Sequence, residues 1–143
     1  ALIPLSTLEH VGLMDERLFV DYVDIEWFLR AKSLGFQAFG VFAARMEHRM
    51  GTARRRIWLG KWRYVPSYSP SRFYYIMRNG LLLYRRHYTP WRWVLNDINK
   101  NCAIFVIFAV LVPPRFEHIK AMIRGLWDGL RSRDGKLEYP KQN

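Results

Sequence analysis

The sequence predicts a mostly helical α/β chain with one or two strands, and three observations carry that prediction. Apolar residues recur with a helical period through three late segments, 71–87, 91–112 and 116–131; an earlier segment, 21–34, shows the same period; and one run rich in Phe, Val and Ala, 36–46, has the composition of a strand. At 143 residues, half of them hydrophobic and 16% aromatic, the chain is one packed domain's worth and lacks the composition of a disordered segment.

Taken in order, Ser6 or Thr7 is placed to cap a short first helix, with Glu9 at capping-box distance from Ser6. In 21–34, Val23, Trp27 and Ala31 recur every four residues, Glu26 and Arg30 can pair across one turn, and Gly35 supplies the stop. On such a helix Asp21 and Asp24 share a face, whereas Asp24 and Glu26 diverge and could ligate one metal only from a loop. After the strand at 36–46, residues 49–69 read as irregular, with the cluster Arg54-Arg55-Arg56 and two turn-prone Pro-Ser and Ser-Pro pairs. The helix of 71–87 lines up Phe73, Ile76, Met77, Gly80, Leu81 and Tyr84, with Arg72, Arg78, Arg85 and Arg86 on its flanks. Pro90 separates it from the second late helix. The third places Ile119, Met122, Ile123, Leu126, Trp127 and Leu130 on one side, and Lys120, Arg124 and Arg131 on the other. No repeat or linker divides the chain, so 1–143 is read as a single domain, with an acidic helix-and-strand portion, 1–51, and basic amphipathic helices across 70–131.

Charge is distributed unevenly. Residues 1–48 hold four Lys or Arg against seven acids, and residues 49–143 hold nineteen against five, within a total of +11. No acid occurs between Glu47 and Asp97, where arginines alternate with aromatics. Such a surface suits an anionic partner, whether a pyrophosphate-bearing substrate or a lipid headgroup, and the interleaved basic and aromatic residues from Trp58 to Trp93, with the helices after them, suit a membrane surface. Nucleic acid is disfavoured, because no helix-turn-helix, zinc finger or RNA-binding signature accompanies the charge. The single cysteine, Cys102, excludes an internal disulfide and fits a reducing compartment. The first residues lack the basic start and apolar core of a signal peptide. The longest uncharged apolar run, Ala103 to Val112, is ten residues against the roughly 20 needed to cross a bilayer, so no spanning helix is expected.

The chemistry points to Leu18–Arg30, where Asp21, Asp24 and Glu26 sit among aromatic and aliphatic residues. Acids in so apolar a run are paired or employed. The segment Asp21-Tyr22-Val23-Asp24-Ile25-Glu26-Trp27 resembles the acidic catalytic segment of family 2 glycosyltransferases, and more narrowly their rhamnosyltransferase branch. The likeness continues through Arg45–Gly51, Ser69–Asn79 and Arg124–Leu130, in the same order.

That resemblance implies the C-terminal, acceptor-side half of a GT-A fold, without the aspartate-rich donor motif and inactive by itself. It implies inverting transfer, with rhamnose passing from dTDP-rhamnose to a lipid-linked saccharide in cell-surface polysaccharide (O-antigen) synthesis, at the cytoplasmic face of the plasma membrane. Aligning Arg30 with the arginine of the family's acidic motif makes Asp24 the catalytic base, although Val23 stands where most of the wider family has Glu. Asp21 and Glu26 are then supporting acids, and His48 is a ligand for Mg²⁺ or Mn²⁺ in the complete enzyme. Arg72, Tyr75, Arg78 and Asn79 sit on one helix, where the spacing from Arg72 to Tyr75 to Asn79 brings three polar tips to one side and Arg matches phosphate oxygens; a basic solvated face is the plainer account of the same residues. The alternative for the whole chain is a basic membrane-surface or nucleic-acid-binding module, or a self-associating one that uses its apolar helices against a second copy.

Overall fold

The computed structural model describes residues 2–45, 54–58, 60–66 and 68–137. Helix α1 (Leu5–Val11) and helix α2 (Val23–Ser33) come first, joined through a 3-10 turn at Glu16–Leu18; strands β1 (Arg54–Trp58) and β2 (Trp62–Pro66) follow, then helices α3 (Pro70–Tyr84), α4 (Trp91–Val110) and α5 (Arg115–Leu130). The mostly helical architecture and the three late helices match the sequence pattern, each starting at the predicted residue or one before it and ending one to three residues earlier.

Helix α3 is the spine. Pro70 opens it where no amide donor is needed, and every residue from Phe73 to Gly80 is buried. Phe73, Met77 and Leu83 enter a core with Leu18, Phe108 and Met122, while Val11, Trp27 and Ala31 form a smaller cluster between α1 and α2. Helix α5 packs on α3 through glycine. A Cβ at Gly125 would lie 2.3 Å from the Tyr74 carbonyl oxygen, and one at Gly129 would lie 2.9 Å from that of Arg78. Gly125→Ala is therefore expected to push the helices apart, at roughly 3 kcal/mol, read as a lower urea midpoint with unchanged slope.

This contact corrects the predicted face of α5. The buried side is His118, Met122, Gly125, Asp128 and Gly129, whereas Ile123, Trp127 and Leu130 point outward. Small residues allow the close approach, which an apolar-stripe reading passes over.

Three further expectations differ. Residues 36–45 form no strand, and Phe39 and Phe42 are exposed, because no neighbouring backbone among the described residues pairs with them. The two-stranded sheet lies instead in the region expected to be irregular: β1 and β2 form an antiparallel hairpin with Trp58 opposite Trp62 and Gly60 at φ 68° in the turn. A Gly-containing connection between aromatic and β-branched residues was the available signal. Helix α1 begins at Leu5 with Pro4 as its cap residue, so neither Ser6 nor Thr7 caps it.

Helix α4 is the one helix among the described residues long and apolar enough, by length and composition, to cross a membrane, although the sequence run alone fell short. Its buried Asp97 is tied to Tyr22 of the core and to half-buried Tyr84 of α3, which fixes its first half to the domain.

His118 sits edge-on to Phe73 and Phe108 with ring centroids 5.1 and 5.4 Å away, and its Nδ1 has no hydrogen-bond partner among the described residues. Burial holds its pKa below the usual histidine value. The folded state therefore takes up this proton less readily than the unfolded one. Stability contributed by neutral His118 is fully present above about pH 6.5 and declines as pH falls through that value. Urea midpoints measured from pH 7.5 down to 5 are expected to drop, and His118→Phe to flatten that drop.

Candidate functional site

The predicted acids cluster where α2 begins, but the chain there is not the helix the periodicity suggested. Helix α2 starts at Val23, and the residues before it turn through the left-handed region: Phe19 (φ 62°), Asp21 (φ 58°) and Tyr22 (φ 66°). Asp21 thus lies on a loop and does not share a helix face with Asp24. Each such non-glycine residue costs on the order of 1–3 kcal/mol unless its surroundings hold it, and strain of this kind concentrates at functional sites.

The restraint comes from α3. The Asn79 side-chain amide, 0% exposed, donates to the carbonyls of Leu18 (2.9 Å), Val20 (2.7 Å) and Asp21 (3.0 Å). Arg78, 1% exposed, donates to Leu18 O (3.1 Å), Gly135 O (2.6 Å) and the Asn79 Oδ1 (2.9 Å). These two residues were expected to bind phosphate; their donors are spent on the chain's own backbone, and that expectation is corrected. Tyr75 is also committed, its hydroxyl accepting the Leu137 N–H at 2.8 Å and its ring lying 4.8 Å from the Arg78 guanidinium. The sequence showed polar tips on one helix side; it could not show that a loop sixty residues upstream covers them.

Arg72 is the exception. Its guanidinium meets the Asp21 carboxylate through Nη2 (2.9 Å) and Nε (3.1 Å), and it lies 4.2 Å from the Tyr68 ring centroid, with 39% of its side chain still exposed. The hydrogen bond to Asp21 raises its pKa further, so Arg72 is a fixed cation at this edge.

The three acids take three different roles. Glu26 is 2% exposed and accepts from Arg30 Nε (2.9 Å), Arg30 Nη2 (3.2 Å) and the Tyr88 hydroxyl (2.5 Å). Burial and this carboxylate push Tyr88 up to about 12, so it stays a donor. Glu26 is an anchor for α2. Asp21 is the partner of Arg72. Asp24 is exposed in the first turn of α2, and its contact with the chain is local, Oδ1 accepting the Ile25 N–H at 3.0 Å.

Sequence reasoning missed Asp97. Its Oδ2 accepts from Tyr22 (2.7 Å), Tyr84 (2.7 Å) and the Asn101 amide (3.0 Å), and Lys100 pairs with its other oxygen. Burial pushes both phenols far above the ordinary tyrosine range, so they act as donors to this carboxylate. The cluster pins Tyr22 beside the strained loop. The signal was the lone acid of a long helix whose other charged residues, Arg92 and Lys100, are basic.

A polar cavity of about 310 Å³ is lined by Asp15, Arg17, Glu26, Arg30, Arg86 and Tyr88 with Leu13. Its charges are largely paired with one another: Asp15 with Arg17 and Arg86 (2.8 Å each), Glu26 with Arg30. Asp24 does not line it.

Over 134 residues the sequence is 31% identical to the dTDP-rhamnosyl transferase RfbF of Shigella flexneri. The chain is related to a rhamnosyltransferase. The match covers 94% of this chain and 44% of that protein, so the chain spans less than half of its relative's length. No family model and no solved structure matches the chain. The aligned span includes the region of the strained loop and α2 on any placement, since it leaves out only nine of 143 residues.

Among the described residues no group of three His, Cys, Asp or Glu could hold a metal ion. His48, the expected ligand, lies outside the described residues. With Asp21 committed to Arg72, the described acids at this edge offer Asp24 alone, so they do not by themselves make a divalent-metal site.

Proposed function

We propose that this chain is the acceptor-side part of an inverting glycosyltransferase of the GT-A type, transferring rhamnose from dTDP-rhamnose to a lipid-linked saccharide, with Asp24 as the catalytic base. The similarity to a dTDP-rhamnosyl transferase carries the reaction class. It also favours an enzyme over a basic binding module. The position of Asp24, an exposed carboxylate at the start of a helix whose preceding loop is strained and braced from beneath, supports its role.

In this reading the acceptor hydroxyl attacks the anomeric carbon of the donor. The new C–O bond forms as the bond from that carbon to the diphosphate oxygen breaks, the nucleoside diphosphate leaves with the electron pair, and the hydroxyl proton passes to Asp24. An alcohol is a poor nucleophile near neutral pH, and the base removes charge as it builds on the attacking oxygen. Arg72, fixed by Asp21 and Tyr68, keeps guanidinium surface open beside this edge, suited to an anionic part of either substrate. Arg78, Asn79 and Glu26 hold the loop and the helix, and touch neither substrate.

The test uses the full-length protein with dTDP-rhamnose and a lipid extract bearing sugar acceptors. Release of dTDP coupled to a lipid product with an inverted anomeric centre is expected. Coupled transfer with retained configuration would reject the single-base mechanism, and absence of transfer from any deoxythymidine diphosphate sugar would reject the donor.

A further inference from the structure

Turning its glycines inward leaves α5 with an unusual outward side. Phe116 is 81% exposed and Trp127 53%, with Ile123 and Leu130 also exposed, and Phe116, Ile123 and Trp127 line an apolar groove of about 470 Å³ whose remaining wall includes Lys120 and Arg124. Spacings of four, seven and eleven residues from Phe116 put Lys120, Ile123 and Trp127 on one stripe. Arg131 lies 4.2 Å from the Trp127 ring centroid and completes the stripe.

The charge around it has one sign. Of the two acids on α5, Asp128 is turned inward, bonded to Tyr74 and Arg133, and Glu117 alone is exposed. A second copy of this face would bring cations against cations. A surface of anionic lipid meets both features together, because the aliphatic stems of Lys and Arg lie along apolar surface while their heads reach phosphate, and Trp and Phe favour the headgroup boundary.

We infer that the outward face of α5 docks in the plane of an anionic lipid bilayer, with Phe116, Ile123 and Trp127 entering the headgroup–acyl boundary and Lys120, Arg124 and Arg131 contacting lipid phosphates. At 16 residues the helix would lay roughly 24 Å along the surface. This does not rest on the transferase reading, and it narrows the expected membrane contact, Trp58–Trp93 with the helices after it, to the outward face of one of those helices. Helix α4 also exposes apolar residues, but no charge pattern says what covers them.

The experiment is cosedimentation of the chain with vesicles of phosphatidylcholine alone and of phosphatidylcholine mixed with phosphatidylglycerol, at low and high salt, with no sugar present. Binding to the mixed vesicles, weakened by salt, is expected. Lys120→Glu/Arg131→Glu should weaken it by about a hundredfold and Phe116→Ser/Trp127→Ser by roughly tenfold, with helix content by circular dichroism unchanged because all four side chains are exposed. Arg55→Glu/Arg63→Glu on the hairpin tests whether charge anywhere suffices. A fluorophore on Ile123→Cys, in a Cys102→Ser background, should shift to the blue when mixed vesicles are added. Equal binding to neutral vesicles, loss through the hairpin variant with the α5 variants unaffected, or a dimer that Phe116→Ser/Trp127→Ser dissolves would each overturn the proposal.

Discussion

In the full-length protein, Asp24→Asn is expected to lower kcat by roughly 100- to 10,000-fold, the range a positioned general base contributes. The change keeps the side chain's shape and its Oδ1 acceptor toward the Ile25 N–H, and removes the ability to take a proton. Because Asp24 is exposed and bonded only locally among the described residues, the unfolding midpoint should stay within about 0.5 kcal/mol of wild type. Loss of turnover with stability retained is a signature that the neighbouring acids cannot give. Glu26→Gln would weaken the ion pair with Arg30 and should destabilise the fold; Asp21→Asn would loosen Arg72. Turnover of Asp24→Asn near the wild-type rate would exclude Asp24 as the base.

The second large effect is expected at Asn79→Ala. One amide, wholly buried, reaches three carbonyls of the loop that carries Phe19, Asp21 and Tyr22 at positive φ. Without it those carbonyls lose a donor and the strained backbone loses its restraint, at roughly 3 kcal/mol, visible in urea unfolding. Amide exchange should quicken from Leu18 to Tyr22 before it does elsewhere. Asn79→Asp should be worse still. It aims a carboxylate at the same three oxygens, and the Arg78 Nε offers relief on one side only. A cost below about 1 kcal/mol for Asn79→Ala would show that the Asp97 cluster, through Tyr22, holds the loop without help from α3.

What could be read from residues alone depended on how far apart the interacting groups lie in the chain. The pair Glu26–Arg30, the stop at Gly35 and the three late helices rest on contacts within a few residues, which local periodicity encodes. Arg72 showed its polar character but not its partner, Asp21, fifty-one residues earlier. Arg78 and Asn79 carried the same surface signal as Arg72 and proved to be buried. A polar side chain in the core is stable there once backbone carbonyls satisfy it, and nothing nearby in sequence announces those carbonyls. The face of α5 went the same way, since apolar periodicity assigns the core to large residues and a helix crossing through glycine reverses that choice.

The amino-acid sequence by itself determined the helical class, the division into an acidic beginning and a basic remainder, and the short list of acids from which a base could be drawn, because these follow from composition and from neighbours one turn apart. The choice of Asp24 among them rests on the family resemblance; only the tertiary structure decided how each acid is held, with Glu26 bonded by Arg30 and Tyr88, Asp21 by Arg72, and Asp24 left at the surface. Burial and pairing are properties of what the fold brings alongside, and the partners that satisfy a carboxylate can lie fifty-one residues away in the chain.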